Sequence, residues 1–320
     1  NVQPGTVQVG GTNLLQTRHR HGLDFAKAGE IHLGNRLDTT CRVISLSDSM
    51  AFYNVTYNEK HDFATVRNYG CTFKCPICSY KLRSGPEGRP GLAYPRPESF
   101  LTPEEIEDAL LSVMPGRVNF MGGEPTVSKD LPRILGFAKE VLGAKTSLGH
   151  TNGCNLSLEN IDSANVGLKA WYEDVHMHLT GLPKEKIFGE VEAAVKRGVD
   201  ISANLIYIPG YVDTDQIELT AEFLDSIGID KFHIMGYIPV PGQDFRRPTI
   251  NEMENACNIA RRYIPGTEYS HMTPEEVLSM ERIDDRFDVR LIAGSDEARG
   301  VLLSSSKQVI SYSVAVLIYF

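Results

Sequence analysis

The chain has 320 residues, 42% of them hydrophobic and 23% charged, and reads as a soluble globular protein with either one large domain plus attachments or two ordinary domains. Its formal net charge of −9, from 32 Lys and Arg against 41 Asp and Glu, argues against a nucleic-acid groove as the main surface. Six cysteines without framework spacing do not suit a secreted disulfide scaffold. The three that cluster need a reducing compartment to remain thiolates, so a cytoplasmic protein is expected.

The first thirty residues lack a continuous apolar run of the signal-peptide kind, and the chain begins with Asn rather than Met, which reads as a trimmed or partial chain. The only strongly apolar run is Val309 to Phe320, twelve residues against the ~20 that a membrane-spanning helix requires. A terminal strand or a foreign end is expected there, and no membrane partner.

Residues 1–62 are rich in β-formers and turns, with short strands expected at Ile31–Gly34, Cys41–Leu46 and Ala51–Tyr57, and are taken as a small β-rich N-terminal extension. His19 and His21 within it read as a solvated basic loop. From Phe63 the pattern changes to strands alternating with amphipathic helices, the mark of parallel β/α units. The expected strands are Phe63–Arg67, Arg117–Met121, Thr146–Thr151, Asp174–Leu179, Ile201–Ile208 and Lys231–Tyr237.

Helix starts are written in capping residues: Thr102 with Glu105, Ser128, Asp213 with Gln216, and Thr249 with Glu252. Lys81 to Pro97 is expected to be a long loop, since its Pro and Gly content suits neither helix nor inner strand. Six units over residues 63–262 suggest an open, partial (β/α)6 barrel, because a closed eightfold barrel needs about 250 residues. Residues 263–320 carry one more short helix signal at Thr273 and then lose definition.

The chemistry concentrates in Cys71-Thr-Phe-Lys-Cys75-Pro-Ile-Cys78, directly after the first parallel strand. Active sites of β/α barrels lie on that C-terminal face. Three thiols on one short loop suit an iron–sulfur cluster or a zinc ion, with no obvious fourth ligand nearby. A [4Fe–4S] cluster held by three cysteines leaves one iron open to a chelating amine and carboxylate. Cys41, Cys154 and Cys257 are scattered and form no second motif. Downstream, Gly122-Gly123-Glu124-Pro125 ends the second strand, where glycines allow close backbone approach and a carboxylate or carbonyl can accept from an ammonium group.

The C-x3-C-x2-C loop together with Gly122-Gly-Glu-Pro125 resembles the radical SAM superfamily. That resemblance implies Cys71, Cys75 and Cys78 as ligands of a [4Fe–4S] cluster, with S-adenosylmethionine (SAM) on the open iron. One electron, from a donor such as flavodoxin or ferredoxin, would cleave SAM to a 5′-deoxyadenosyl radical that abstracts a substrate hydrogen. Gly122, Gly123 and Glu124 would meet the methionine end. Asn152, His178 and Asn204, placed at the ends of expected strands three to five, would reach the ribose and carboxylate, and Ile208 the adenine. Ile77 stands where an aromatic residue often precedes the third cysteine, and His178-Leu-Thr where related activating enzymes resemble D-L-K. His176, on the same expected strand face as His178, suits a core or rim role as well as cofactor contact.

Within the superfamily, Thr151-Asn-Gly, Ile208-Pro-Gly-Tyr-Val-Asp213 and Tyr237-Ile-Pro-Val-Pro-Gly242 resemble enzymes that activate glycyl-radical proteins, pyruvate formate-lyase activating enzyme among them. The substrate would then be a backbone glycine of a partner protein. Three other readings share parts of the same residues: a radical SAM enzyme acting on a small molecule or peptide, an iron–sulfur electron carrier, and a zinc-binding interaction protein.

Overall fold

Side chains that alternate between two faces decide what this chain can build, because one face of each strand must be covered and the other need not be. The computed structural model describes residues 52–86, 96–280 and 289–294. Its strands are β1 (Phe52–Asn58), β2 (Phe63–Asn68), β3 (Arg117–Gly122), β4 (Lys145–Thr151), β5 (Ser163–Leu168), β6 (Asp200–Tyr207), β7 (Phe232–Gly236), β8 (Glu268–Ser270) and β9 (Val289–Gly294). The helices are α1 (Lys81–Ser84), α2 (Pro103–Val113), α3 (Leu131–Glu140), α4 (Glu173–Thr180), α5 (Lys184–Lys196), α6 (Thr214–Ser226), α7 (Ile250–Ala260) and α8 (Pro274–Met280).

All described strands form one sheet in the order β8-β7-β6-β5-β4-β3-β2-β1-β9. From β2 to β8 each neighbour is parallel to the last. β1 runs antiparallel to both β2 and β9. Among the described residues the sheet has two free ends, so the β/α array is the open, partial barrel expected from the sequence. Crossovers between successive parallel strands, helical except between β4 and β5, place the loops that follow the strands at one end.

The helix-facing side of the sheet is apolar. Val118, Phe120, Leu148, Val166, Leu205 and Ile234 are fully buried there, in one cluster with Ile106 and Leu110 of α2, Ile134 and Leu135 of α3, and Ile187 and Val191 of α5. Thr102–Glu105 and Thr249–Glu252 both close reciprocal capping boxes, and Asp213 accepts from Thr214 N at the start of α6. These local devices satisfy donors that the first helical turn leaves unpaired.

Two expectations need correction. Asp174–Leu179 is not the fourth strand but most of α4, which buries Val175, His176, Leu179 and Thr180 on a helical face and stops at Gly181 with φ 79°. The fourth parallel strand is β5, Ser163-Ala-Asn-Val-Gly-Leu168, whose small and weakly β-forming residues gave little signal. A seventh parallel strand, the three-residue β8, also escaped the sequence pattern.

The expected strands at 31–34 and 41–46, His19, His21, Cys41 and the run from Val309 lie outside the described residues.

Truncating the core face of α3 tests this packing. Leu135→Ala, at a fully buried position, should lower unfolding free energy by about 2–5 kcal/mol. Leu111→Ala on the outer side of α2, 44% exposed, should change it by less than about 0.5 kcal/mol. Denaturant unfolding of the two variants side by side checks the assignment of faces.

Candidate functional site

The cysteine loop leaves the end of β2 and is anchored from below by Phe73 and Ile77, which are buried in the main core. With those two side chains held in the core, Cys75 lies buried between them in sequence, and Cys71 and Cys78 are partly buried. Backbone bonds Cys78 N to Cys75 O at 3.2 Å and Lys81 N to Cys78 O at 3.0 Å turn the loop into α1. Phe73 N donates to Cys71 Sγ at 3.4 Å, an amide-to-sulfur contact of the kind that stabilises ligating thiolates.

Burial pushes the Cys71 thiol up to about 12, with the negative charge of Glu124 adding to it. Burial likewise raises Cys75 to about 11, against the pull of Lys169. Both therefore hold their protons at neutral pH until a metal displaces them. Among the described residues no three His, Cys, Asp or Glu side chains converge where one metal ion would sit. A four-iron cluster asks instead that each thiolate reach a different iron, and this donor set of three thiols fits it.

The Gly-Gly-Glu-Pro turn is locked onto the loop's base. Glu124 N donates to Gly70 O at 2.8 Å and Gly123 N to Asn68 O at 3.3 Å, while Asn68 Nδ2 donates to Glu124 O at 2.8 Å and Gly70 O at 3.1 Å. Gly122 has φ 125°, and a Cβ there would lie 2.3 Å from Asn68 O. Only glycine fits where the two strand ends come this close.

Glu124 is completely buried. Its Oε1 accepts from Thr126 N, Thr126 Oγ1 and Thr151 Oγ1 at 3.2, 2.7 and 2.8 Å, and its Oε2 accepts from Asn152 N at 2.5 Å. Burial raises its carboxyl above the usual range, and these four bonds pull the other way. Asn152 extends the network to the loop, its Nδ2 lying 3.0 Å from Thr72 Oγ1 and 3.8 Å from Cys71 Sγ.

The structure thus brings Cys71, Cys75, Cys78, Gly122, Gly123, Glu124 and Asn152 together at the ends of β2, β3 and β4. Asn204 lies farther along the sheet, 3% exposed, its Nδ2 donating to Asn165 Oδ1 at 2.8 Å. Ile208 ends β6 with its side chain fully inside the core and bridges Val212 across the Pro209-Gly210 turn. His178 does not join them. It sits exposed on α4 and hydrogen-bonds Tyr211 Oη, so the strand-end position on which its cofactor role was expected does not exist. His176, two residues before it and on the same expected strand face, is buried and contacts Leu182 O at 2.8 Å.

Sequence reasoning missed Lys169. It follows the true fourth strand directly and donates to Gly167 O at 2.7 Å. Its charge bears on both Cys75 and His150. Leu168-Lys169 supplies two residues of the D-L-K pattern that was sought at His178, a usable signal once the strand is placed correctly.

The described residues thus form a parallel β/α partial barrel with a three-thiol loop at the end of its first parallel strand. The radical SAM superfamily model matches residues 65–224, half of the chain, and the protein belongs to that superfamily, whose cofactors are a [4Fe–4S] cluster and SAM. A Methanocaldococcus jannaschii protein provisionally named a glycyl-radical enzyme activating enzyme is 26% identical over 231 residues, covering 68% of this chain and 83% of that one. A GTP 3′,8-cyclase of Psychromonas ingrahamii is 29% identical over 159 residues, 45% of this chain and 44% of its own; the chain thus spans less than half of that relative. Among solved structures, Streptococcus suis SuiB bound to SAM aligns at 19% identity and TM-score 0.49, covering 67% of this chain and 52% of that one. A domain of pyruvate-formate lyase-activating enzyme from Bacteroides vulgatus aligns at 20% identity and TM-score 0.40, covering 48% and 99%.

Removing the buried carboxylate leaves four donors without an acceptor. Glu124→Ala should lower stability by on the order of 3 kcal/mol or more, read as a shift of the urea midpoint. Glu124→Gln, which keeps one oxygen for Thr126 and Thr151, should lose less.

Proposed function

We propose that Cys71, Cys75 and Cys78 hold the [4Fe–4S] cluster and that the chain activates a glycyl-radical protein by removing hydrogen from a backbone glycine. The observation that carries the cluster assignment is the three-thiol loop bonded through Asn68, Gly70 and Asn152 to the Gly-Gly-Glu-Pro turn. The likeness to the M. jannaschii protein supports the choice of substrate.

Held by Cys71, Cys75 and Cys78, the cluster would deliver one electron to SAM, supplying the radical chemistry by which a substrate hydrogen is removed and 5′-deoxyadenosine and methionine are released. The chain's own residues position that chemistry. Because the Glu124 carboxylate is already held by four donors, the acceptor for the methionine ammonium in this reading is a backbone carbonyl of the Gly122–Glu124 turn. Asn152 holds the cysteine loop against the turn, and Ile208 packs in the core beneath the Pro209-Gly210 turn. The electron comes from a small carrier such as flavodoxin or ferredoxin, in the reducing cytoplasm. No described helix is long and apolar enough to cross a membrane. A second reading, a small-molecule substrate, is favoured by the matches to GTP 3′,8-cyclases.

Anaerobic reconstitution with iron and sulfide, reduction by dithionite and addition of SAM tests the chemistry. The wild-type chain should form 5′-deoxyadenosine, Cys71→Ala, Cys75→Ala and Cys78→Ala should each lose it along with the reducible cluster, and His178→Ala should retain both. A reducible cluster that never cleaves SAM would sink the assignment. A stable organic radical on an added glycyl-radical enzyme, seen by electron paramagnetic resonance, separates the two substrate readings.

A further inference from the structure

The inner face of the sheet is polar where parallel strands are ordinarily apolar on both sides. Asn119, Ser147, Asn165, Ser202, Asn204 and His233 occupy alternate positions of β3 to β7 on the side away from the helices. Between them lies a cavity of about 250 Å³, whose walls include His150, Asn165, Ser202, Asn204 and His233, with Glu268 at one end. At ~30 Å³ per water molecule, that is room for about eight waters or one small ring.

We propose that this cavity binds an uncharged amide-type group, a primary carboxamide or a cyclic amide, as the head of the enzyme's substrate. The inference rests on the radical SAM reading only in calling the ligand a substrate.

Asn204 Oδ1 and both ring nitrogens of His233 are buried without a partner, and buried polar groups are rarely left so. Asn204 Nδ2 is taken by Asn165 at 2.8 Å, which leaves its oxygen as a free acceptor. Burial lowers His233 and brings His150 down to about 4, with Lys169 adding to the latter. Both imidazoles are then neutral at pH 7, each offering one donor and one acceptor.

Among the residues that line the cavity, a carboxylate or phosphate would find no free countercharge. Lys231, the cation among the lining residues, is paired with Asp200 at 2.9 Å, and Glu268 and Asp230 add negative charge at the same end. An N–H beside a carbonyl satisfies Asn204 and His233 together. Gly167 packs closely behind two of the lining residues: a Cβ there would come within 3.1 Å of His150 Cε1 and 3.3 Å of Asn204 Oδ1.

Isothermal titration of the reconstituted full chain with uracil, nicotinamide, acetate and inorganic phosphate tests this. Uracil or nicotinamide should bind and the two anions should not. Asn204→Leu should weaken that binding at least tenfold, and His233→Phe, which removes the two unpartnered ring nitrogens, should weaken it likewise. Tighter binding of acetate or phosphate, no binding of any probe, or binding by both variants as tight as by the wild type would overturn the proposal. Assaying 5′-deoxyadenosine on the same samples keeps the outcomes apart: SAM cleavage without amide binding sinks the cavity assignment alone.

Discussion

The buried carboxylate of Glu124 is the constraint on which the site depends. A charge-bearing group with no exposure is tolerated only when donors surround it, and here the donors come from Thr126 on its own turn and from Thr151 and Asn152 at the end of the next strand. One side chain therefore fixes the ends of β3 and β4 relative to each other. Asn68, through its own amide and backbone, fixes β2 to the same turn. The cysteine loop grows out of that three-strand junction, so its placement is inherited from hydrogen bonds made by residues that carry no metal chemistry. Both carboxylate oxygens of Glu124 are engaged in holding these strand ends together.

The sheet divides the molecule's labour between its two faces. Helices cover the outer side with Leu, Ile, Val and Phe, and the burial of those side chains is the main driving force for folding. The inner side of a partial barrel is too narrow for helices and is left with Asn, Ser and His, whose polar atoms are incompletely paired. Stability thus comes from one face, and the other remains available for a ligand. The alternation that makes a strand also makes this division possible, since neighbouring residues point to opposite sides.

Much of this was legible in advance where the signal is local. The capping boxes at Thr102 and Thr249, the inward faces of α2, α5, α6 and α7, five of the seven parallel strands and the cysteine loop's place after the first of them all follow from short-range pattern. The failures are equally physical. Asp174-Val-His-Met-His-Leu179 alternates like a strand, yet Glu173 and Asp174 favour a helix N-terminus and Gly181 a helix stop. Ser163-Ala-Asn-Val-Gly-Leu168 forms a central strand with little intrinsic preference for one, because pairing on both sides outweighs propensity. That single exchange misplaced His178 and hid Lys169.

By itself, then, the sequence determined the class of fold, the three thiols and the glycine-rich turn, because periodicity, caps and closely spaced ligands act over a few residues. Tertiary structure alone decided that Glu124 bonds the ends of β3 and β4 together, that Asn152 reaches the cysteine loop, that His178 lies on a helix against Tyr211, and that Asn204, His150 and His233 share one cavity. Those facts join residues 27 to 83 positions apart in the chain, and no local rule relates them: strand order and register bring them together, and burial then fixes which atoms must find partners.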